Sequence, residues 1–256
     1  MDRAGAVLQQ FHPISLKEMD GVKLMDRCDT KFLFSLNRLP EILQELSGNY
    51  KVLEVEGKRI SGYDSQYFDL PGFDLYHQHH RGRLPRFKVR KRVYLETGLG
   101  FLEVKNKNNK GRTKKNRIPS PSGNAVFSSA PDRELVFSHT GLDPGNLMPV
   151  VKVFYSRITL VNQAGAERVT LDMNLRFSGN SREHHVPQLV IAEVKQDRNN
   201  RSFFTRLMQK HGIREGRVSK YCWALISLYQ DIPHNRFKTI IRNISKITHG
   251  TTSDSA

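Results

Sequence analysis

The run Arg86-Phe87-Lys88-Val89-Arg90-Lys91-Arg92-Val93-Tyr94-Leu95 decides how the chain is read. Arg86, Lys88, Arg90, Arg92 and Tyr94 fall on one parity, and Phe87, Val89, Val93 and Leu95 on the other, with Lys91 the one intruder. Successive side chains of a strand point to opposite faces, so the alternation predicts a β-strand with one cationic and one apolar face. Thr97-Gly98-Leu99-Gly100 reads as a turn, followed by a second strand, Phe101–Lys105, in which Glu103 and Lys105 share a face against Leu102 and Val104. A third charged piece, Thr113–Arg117, ends at Pro119. Fold and function turn on whether these charges face solvent or one another.

Composition sets the outer bounds. A chain of 256 residues, 38% hydrophobic and 26% charged, suits one large soluble domain with a real core. Its formal net charge of +16 predicts an anionic partner: nucleic acid, an acidic membrane surface or a phosphate-rich molecule. Cys28 and Cys222 are far apart and lack metal-ligand spacing, which favours reduced thiols. There is no apolar signal-like run near the N-terminus and no hydrophobic run of about 18 residues, so a cytoplasmic location is expected.

The same face-sharing recurs along the chain. Residues 1–24 read as a short helix and loop leading in. Asp29 and Lys31 share a strand face against Thr30, Phe32 and Phe34. A helix capped by Ser35 or Asn37 carries Leu39, Ile42, Leu43 and Leu46 and ends near Gly48. Tyr50–Val55 and Gly62–Phe68 read as strands. His77, His79 and His80 fit no standard metal spacing and read as a surface helix or loop. A connection over 119–131 precedes a short helix at Asp132–His139. In the second half Val151, Val153, Tyr155 and Arg157 share one face. Arg168, Thr170 and Asp172 oppose Val169, Leu171 and Met173, and Leu189, Ile191, Glu193 and Lys195 oppose Val190, Ala192 and Val194. Glu193-Val194-Lys195 repeats Glu103-Val104-Lys105. From residue 201 a helical period takes over in three segments: one stopped by Gly212, one opened by Ser219, and a basic amphipathic one with Ile240, Ile241, Ile244 and Ile247 against Arg242 and Lys246. The last packs its apolar stripe on the domain, or lies on a membrane or partner. The final six residues read as a disordered tail. The organisation expected is a lead-in (1–24), a main domain (25–232) and a C-terminal basic helix with its tail (233–256).

A solvated sheet face would account for each strand singly. Together, the charged parity is rich in arginine, whose fork suits phosphate oxygens, and isolated carboxylates recur among the cations, as where a divalent ion is held beside phosphate. Helices with apolar stripes stand ready to cover the other faces. If they cover the outside of a closed sheet, the charges line its lumen. Unpaired buried charge costs several kcal/mol per ion, so such a lumen must hold water or an anion.

Nine pieces in order then resemble the VTC domain, the polyphosphate polymerase domain of the triphosphate tunnel metalloenzyme superfamily. They are Arg27-Cys28-Asp29-Thr30-Lys31-Phe32; Tyr67-Phe68-Asp69 with Tyr76; Lys88 to Tyr94; Phe101 to Lys105; Lys115-Asn116-Arg117; Tyr155-Ser156-Arg157; Arg168 to Asp172; Glu193-Val194-Lys195; and Ser219-Lys220-Tyr221. The resemblance implies an α+β fold, a closed antiparallel eight-stranded β-barrel with a charged lumen and helices packed outside. It implies an enzyme that transfers the γ-phosphoryl of ATP to a growing inorganic polyphosphate chain with Mn²⁺ or Mg²⁺. The cations acting on the phosphates would be Lys31, Arg90, Arg92, Lys105, Arg157, Arg168 and Lys220. Lys115, Tyr155, Lys195, Arg217 and Ser219 would bind substrate, and Glu193 and Glu103 would hold the metal.

Two departures limit the resemblance. Where the sister branch of thiamine-triphosphatase and adenylate-cyclase type proteins has Glu-x-Glu-x-Lys, this chain has Arg27-x-Asp29-x-Lys31, which argues against that branch. The inositol-phosphate-sensing domain and membrane helices of the eukaryotic polymerases are not recognisable, so coupled export is not expected. Hydrolysis of triphosphate or polyphosphate stays open as an alternative, as does a non-catalytic polyphosphate- or nucleic-acid-binding protein. Nucleic acid is disfavoured because few stacking aromatics interleave with the basic residues and no nucleic-acid-binding motif occurs.

Overall fold

The computed structural model describes residues 2–20, 27–110, 112–120, 127–197 and 202–249. The first half runs α1 (Asp2–Leu8), β1 (His12–Ile14), α2 (Leu16–Asp20), β2 (Arg27–Ser35), α3 (Leu39–Leu46), β3 (Tyr50–Leu53), β4 (Ser61–Asp69) and α4 (Asp74–Arg81). Then come β5 (Arg86–Tyr94), β6 (Gly100–Lys107), β7 (Thr113–Pro119), α5 (Ala130–Thr140), β8 (Met148–Asn162) and β9 (Glu167–Gly179). The last part is β10 (Arg182–Val186), β11 (Leu189–Asp197), α6 (Phe203–Lys210), α7 (Lys220–Leu228) and α8 (Lys238–His249). The strands read from alternation are present; the short β1 and β10 carry too few alternating positions to announce themselves. The expected tail and the middle of the 119–131 connection lie outside the described residues.

Eight strands form one path in the order β2-β11-β9-β8-β4-β5-β6-β7, with β1, β3 and β10 attached beside it. Each neighbouring pair on the path is antiparallel. The expected barrel is corrected here: the end strands β2 and β7 are not paired with one another, so the sheet is open. The free edge of β2 is taken by a returning segment, where Gly216 N–H donates to the Lys31 carbonyl at 2.8 Å and Glu215 bridges Phe32. At the other end, β7 carries a charged, mostly exposed edge, a composition that discourages further pairing. The two ends still face each other, because Lys31 of β2 and Thr113 of β7 line one cavity.

Alternation gives the sheet two different faces. On the convex face, Phe32, Phe34, Leu160, Leu171, Val190 and Val194 pack with α3 residues Ile42 and Leu43 and α6 residues Phe204 and Met208. Val89, Leu102 and Val104 meet Phe127 and Val136 of the α5 layer. Lys91, the intruder of the β5 pattern, lies on this face under α5, its Nζ 3.0 Å from Asp132 and 5.7 Å from the Phe127 ring centroid. A buried partner explains the break in the alternation.

The placement of helices needs a second correction: not all are outside. Leu33, Val153, Leu189 and Ile191 share the strand parity of Lys31, Arg157 and Glu193, a register shift sets Phe177 of β9 opposite Val153, and all five pack with Tyr221, Trp223 and Leu225 of α7 and Ile244 of α8. The concave face is thus cationic over one part and apolar over another, and α7 covers the apolar part. The histidine segment is also less exposed than expected: His79 Nε2 lies 2.9 Å from the Phe87 carbonyl and His80 Nε2 2.7 Å from Asn235.

Asp69 ties α4 and α7 to the sheet. Fully buried, it accepts from the N–H groups of Leu70, Leu75 and Tyr76 at 2.8, 2.9 and 3.0 Å, and from the Tyr221 hydroxyl. Asp69→Ala is expected to lower the unfolding free energy in chemical denaturation by roughly 3 kcal/mol, since several buried donors lose their acceptor. Arg133→Ala, which removes the cation of an exposed ion pair with Asp143, is expected to change it little.

Candidate functional site

Strand register answers the question posed by the charged parities. Arg90 lies opposite Tyr67 and Glu103, and Lys105 opposite Lys88 and Lys115. Arg157 lies opposite Asp172, and Glu193 opposite Lys31. All sit on the concave face and turn toward one another.

Three groups result. In the first, Glu103 is 1% exposed and accepts from Arg90, with Nε and Nη2 both at 2.6 Å, while Lys115 pairs with its other oxygen. Arg92 Nε donates to Ser65 Oγ at 3.0 Å. In the second, Asp172, 2% exposed, accepts from Arg157 Nε at 2.5 Å and Nη2 at 2.8 Å, and from Lys220. Tyr63 and Tyr155 stack beside it at 4.9 Å, with Arg92 and Arg157 within 5.0–5.7 Å of both rings and Lys220 4.8 Å from Tyr155. In the third, Lys31 Nζ donates to the Val218 carbonyl at 2.9 Å and lies 3.6 Å from Glu193, whose other oxygen is 3.2 Å from Lys195. Lys31, Lys88, Lys105, Glu193, Arg217 and Ser219 line a cavity of about 580 Å³. Ser219 also caps α7, accepting from the Cys222 N–H, so the positive end of that helix meets the cavity.

Electrostatics follow from this crowding. Burial alone raises Glu103, but Arg90, Arg92 and Lys115 outweigh it and hold the carboxyl well below its usual range. Burial likewise opposes, and Arg157 with Lys220 overcomes, for Asp172. Against burial, Lys195, Lys31, Arg157 and Lys105 hold Glu193 low. Desolvation and Lys88 push Lys105 down to about 8, and desolvation brings Lys115 to about 8 despite Glu103.

The residues expected from sequence mostly converge. Arg168 is different: its guanidinium donates to the Met19 carbonyl at 3.0 Å, at the lead-in segment. Sequence reading left out Asp172, Tyr63, Tyr67 and Lys88, although three of these stand on parities or in motifs it had singled out. Their signal was the shared face itself, which constrains a buried carboxylate or phenol as much as a cation. Among the described residues, the acidic or histidine side chains close enough to share one ion as a group of three are Glu41, Glu45 and His211. They lie at α3 and α6, away from this face, where Arg38 and Lys210 already engage them.

With this geometry in view, the VTC domain family profile matches residues 26–130 and 138–229. The chain belongs to the VTC domain family. No curated protein matches the chain. Among solved structures, it is similar to an adenylyl cyclase candidate from Hippeastrum described as having a dominant triphosphatase activity, with 14% identity, a TM-score of 0.53, and 82% of this chain and 99% of the other covered. It is also similar to an adenylate cyclase candidate from Vibrio parahaemolyticus, with 12% identity, a TM-score of 0.46, and 78% and 99% covered. The first likeness shows a shared fold. The family match and this shared fold are consistent with the triphosphate tunnel superfamily. Among the described residues no helix is long and apolar enough to cross a membrane.

Lys105 and Lys115 give the site a pH signature. A bound polyanion favours their charged forms, so above about pH 8 binding must take up protons and weaken as pH rises. Calorimetry of tripolyphosphate binding in buffers of differing ionisation enthalpy is expected to show net uptake there, and much less at pH 6.

Proposed function

We propose that the chain is a metal-dependent phosphotransferase that adds the γ-phosphoryl of ATP to inorganic polyphosphate on its concave face. The observation that carries this reading is the contrast among the three carboxylates. Glu103 and Asp172 are closely bound by arginine and lysine, whereas Glu193 has only looser pairs, at 3.6 and 3.2 Å, beside the cavity. Asp29 and Glu215 line the same cavity, and a loosely paired carboxylate such as Glu193 among phosphate-binding cations fits a hard divalent ion. Glu193 would hold Mn²⁺ or Mg²⁺. Glu103, engaged by Arg90 and Lys115, instead fixes those cations.

When bound, the metal supplies charge neutralisation between phosphoryl oxygens. The chain's own residues do the rest by position. Arg90, Arg92, Arg157 and Lys220 are held by fixed partners, so little reorganisation is needed as charge develops on the transferred phosphoryl group. Lys31, Lys105, Arg217 and Ser219 line the cavity where a chain terminus or nucleotide phosphates would lie, while Lys195 pairs with Glu193 and Lys115 lies opposite Lys105 beside it. A terminal phosphate oxygen of the acceptor attacks the γ-phosphorus and ADP leaves; no protein nucleophile is required.

Incubation with ATP and Mn²⁺ tests this. Polymer resolved on a gel, with ADP released, is the expected result, and Glu193→Gln is expected to lower turnover about a hundredfold or more while tripolyphosphate still binds. Orthophosphate without polymer would assign the same site to hydrolysis. Tight binding with no product would leave a binding protein.

A further inference from the structure

The phosphoryl-transfer reading leaves one group of the concave face without a role. Tyr67, 4% exposed, stacks on Tyr221 with ring centroids 5.2 Å apart, and Tyr221 is anchored by Asp69. Arg90 Nη1 donates to the Tyr67 oxygen at 2.9 Å, while Glu103 fixes the rest of that guanidinium. Ring and oxygen are therefore both held in place.

A phenol has a proton to give as well as lone pairs to offer. Arg90 uses a lone pair; among the described residues no acceptor lies within hydrogen-bond distance for the proton. A buried donor without an acceptor is costly, and an anionic oxygen arriving beside Arg90 would relieve it with a short, charge-assisted O–H···O⁻ bond. We propose that Tyr67 is a direct ligand of the bound polyanion, donating its hydroxyl proton to a phosphoryl oxygen that Arg90 also contacts. This rests on the concave face being a phosphate site and adds a neutral donor to its cations.

The surroundings agree. Burial alone would raise the phenol, but Arg90, Arg92 and Lys88 outweigh it and bring it to about 8. Tyr221 from α7 faces the ring, and Glu103 from β6 and Tyr155 from β8 act on Arg90 behind it. Burial pushes Tyr50, Tyr63, Tyr76, Tyr155, Tyr221 and Tyr229 the other way. Tyr67 is set apart from these six, and loss of a phenolate signal in Tyr67→Phe is what assigns that signal to it. An acid of that strength is also a strong donor to a phosphate oxygen.

The test is an ultraviolet phenolate titration of the full chain with and without inorganic tripolyphosphate, paired with binding to Tyr67→Phe, which keeps the stacked ring. The expected results are a phenolate signal near pH 8 that tripolyphosphate moves to higher pH, and loss of that signal in Tyr67→Phe. The variant should bind tripolyphosphate about tenfold more weakly at neutral pH, the size of one hydrogen bond to a charged group. The shift in the unmutated protein needs no variant to fold. A phenolate signal indifferent to tripolyphosphate, or a Tyr67→Phe variant that binds as tightly while Arg157→Ala loses binding, would overturn the role of Tyr67 and leave the phosphate site standing. An unmutated protein that does not bind tripolyphosphate at all would overturn both.

Discussion

The structure depends on one constraint: cations gathered on the inside of a curled sheet must be compensated without being cancelled. Removing charge from water costs several kcal/mol per ion unless partners are close. Glu103 answers for Arg90 and Lys115, and Asp172 for Arg157 and Lys220. The aromatic rings of Tyr63 and Tyr155 add a weaker attraction for Arg92 and Arg157. These contacts organise the arginines yet leave the face short of negative charge, with Lys31, Arg86, Lys88, Lys105, Lys107 and Arg217 around a cavity whose carboxylates are Asp29, Glu215 and the loosely held Glu193. The deficit is an electrostatic demand for a polyanion.

Opening the sheet changes how that demand is contained. A closed barrel would fix the lumen by hydrogen bonds all the way round. Here the return from α6 to α7 does part of that work, strapping the edge of β2 through Gly216 and Glu215 and bringing Val218 to the Lys31 ammonium. The same return delivers Ser219 and Lys220 at the first turn of α7. Closure and site assembly are therefore one event in the chain, and α7 is held from the far side by Tyr221 on Asp69.

Most of the site was legible because a strand converts sequence parity into a face. Once Arg90, Glu103, Arg157 and Glu193 were placed on strands, antiparallel pairing had few ways to keep them apart. The parts that were not legible depend on what parity leaves open. Nothing in the alternation of β2 and β7 says whether their edges meet, and the strap that replaces β7 is an irregular segment with no period. The apolar stretch of the concave face was visible as Leu33, Leu189 and Ile191 but read as ordinary strand residues, so the entry of α7 was missed. Lys91 looked like an error in the pattern because its partner, Asp132, is 41 residues away in sequence. Tyr67 and Asp172 were in view and went unassigned, since a phenol and a lone carboxylate mean little until their neighbours are known.

The central claim is that the concave face holds phosphate. A crystal structure of the protein with tripolyphosphate and Mn²⁺ tests it most directly. The account predicts phosphate density against Lys31, Arg90 and Arg157, with the metal between that density and Glu193. Tripolyphosphate bound instead along the basic outer face of α8, with the concave face empty, would contradict it.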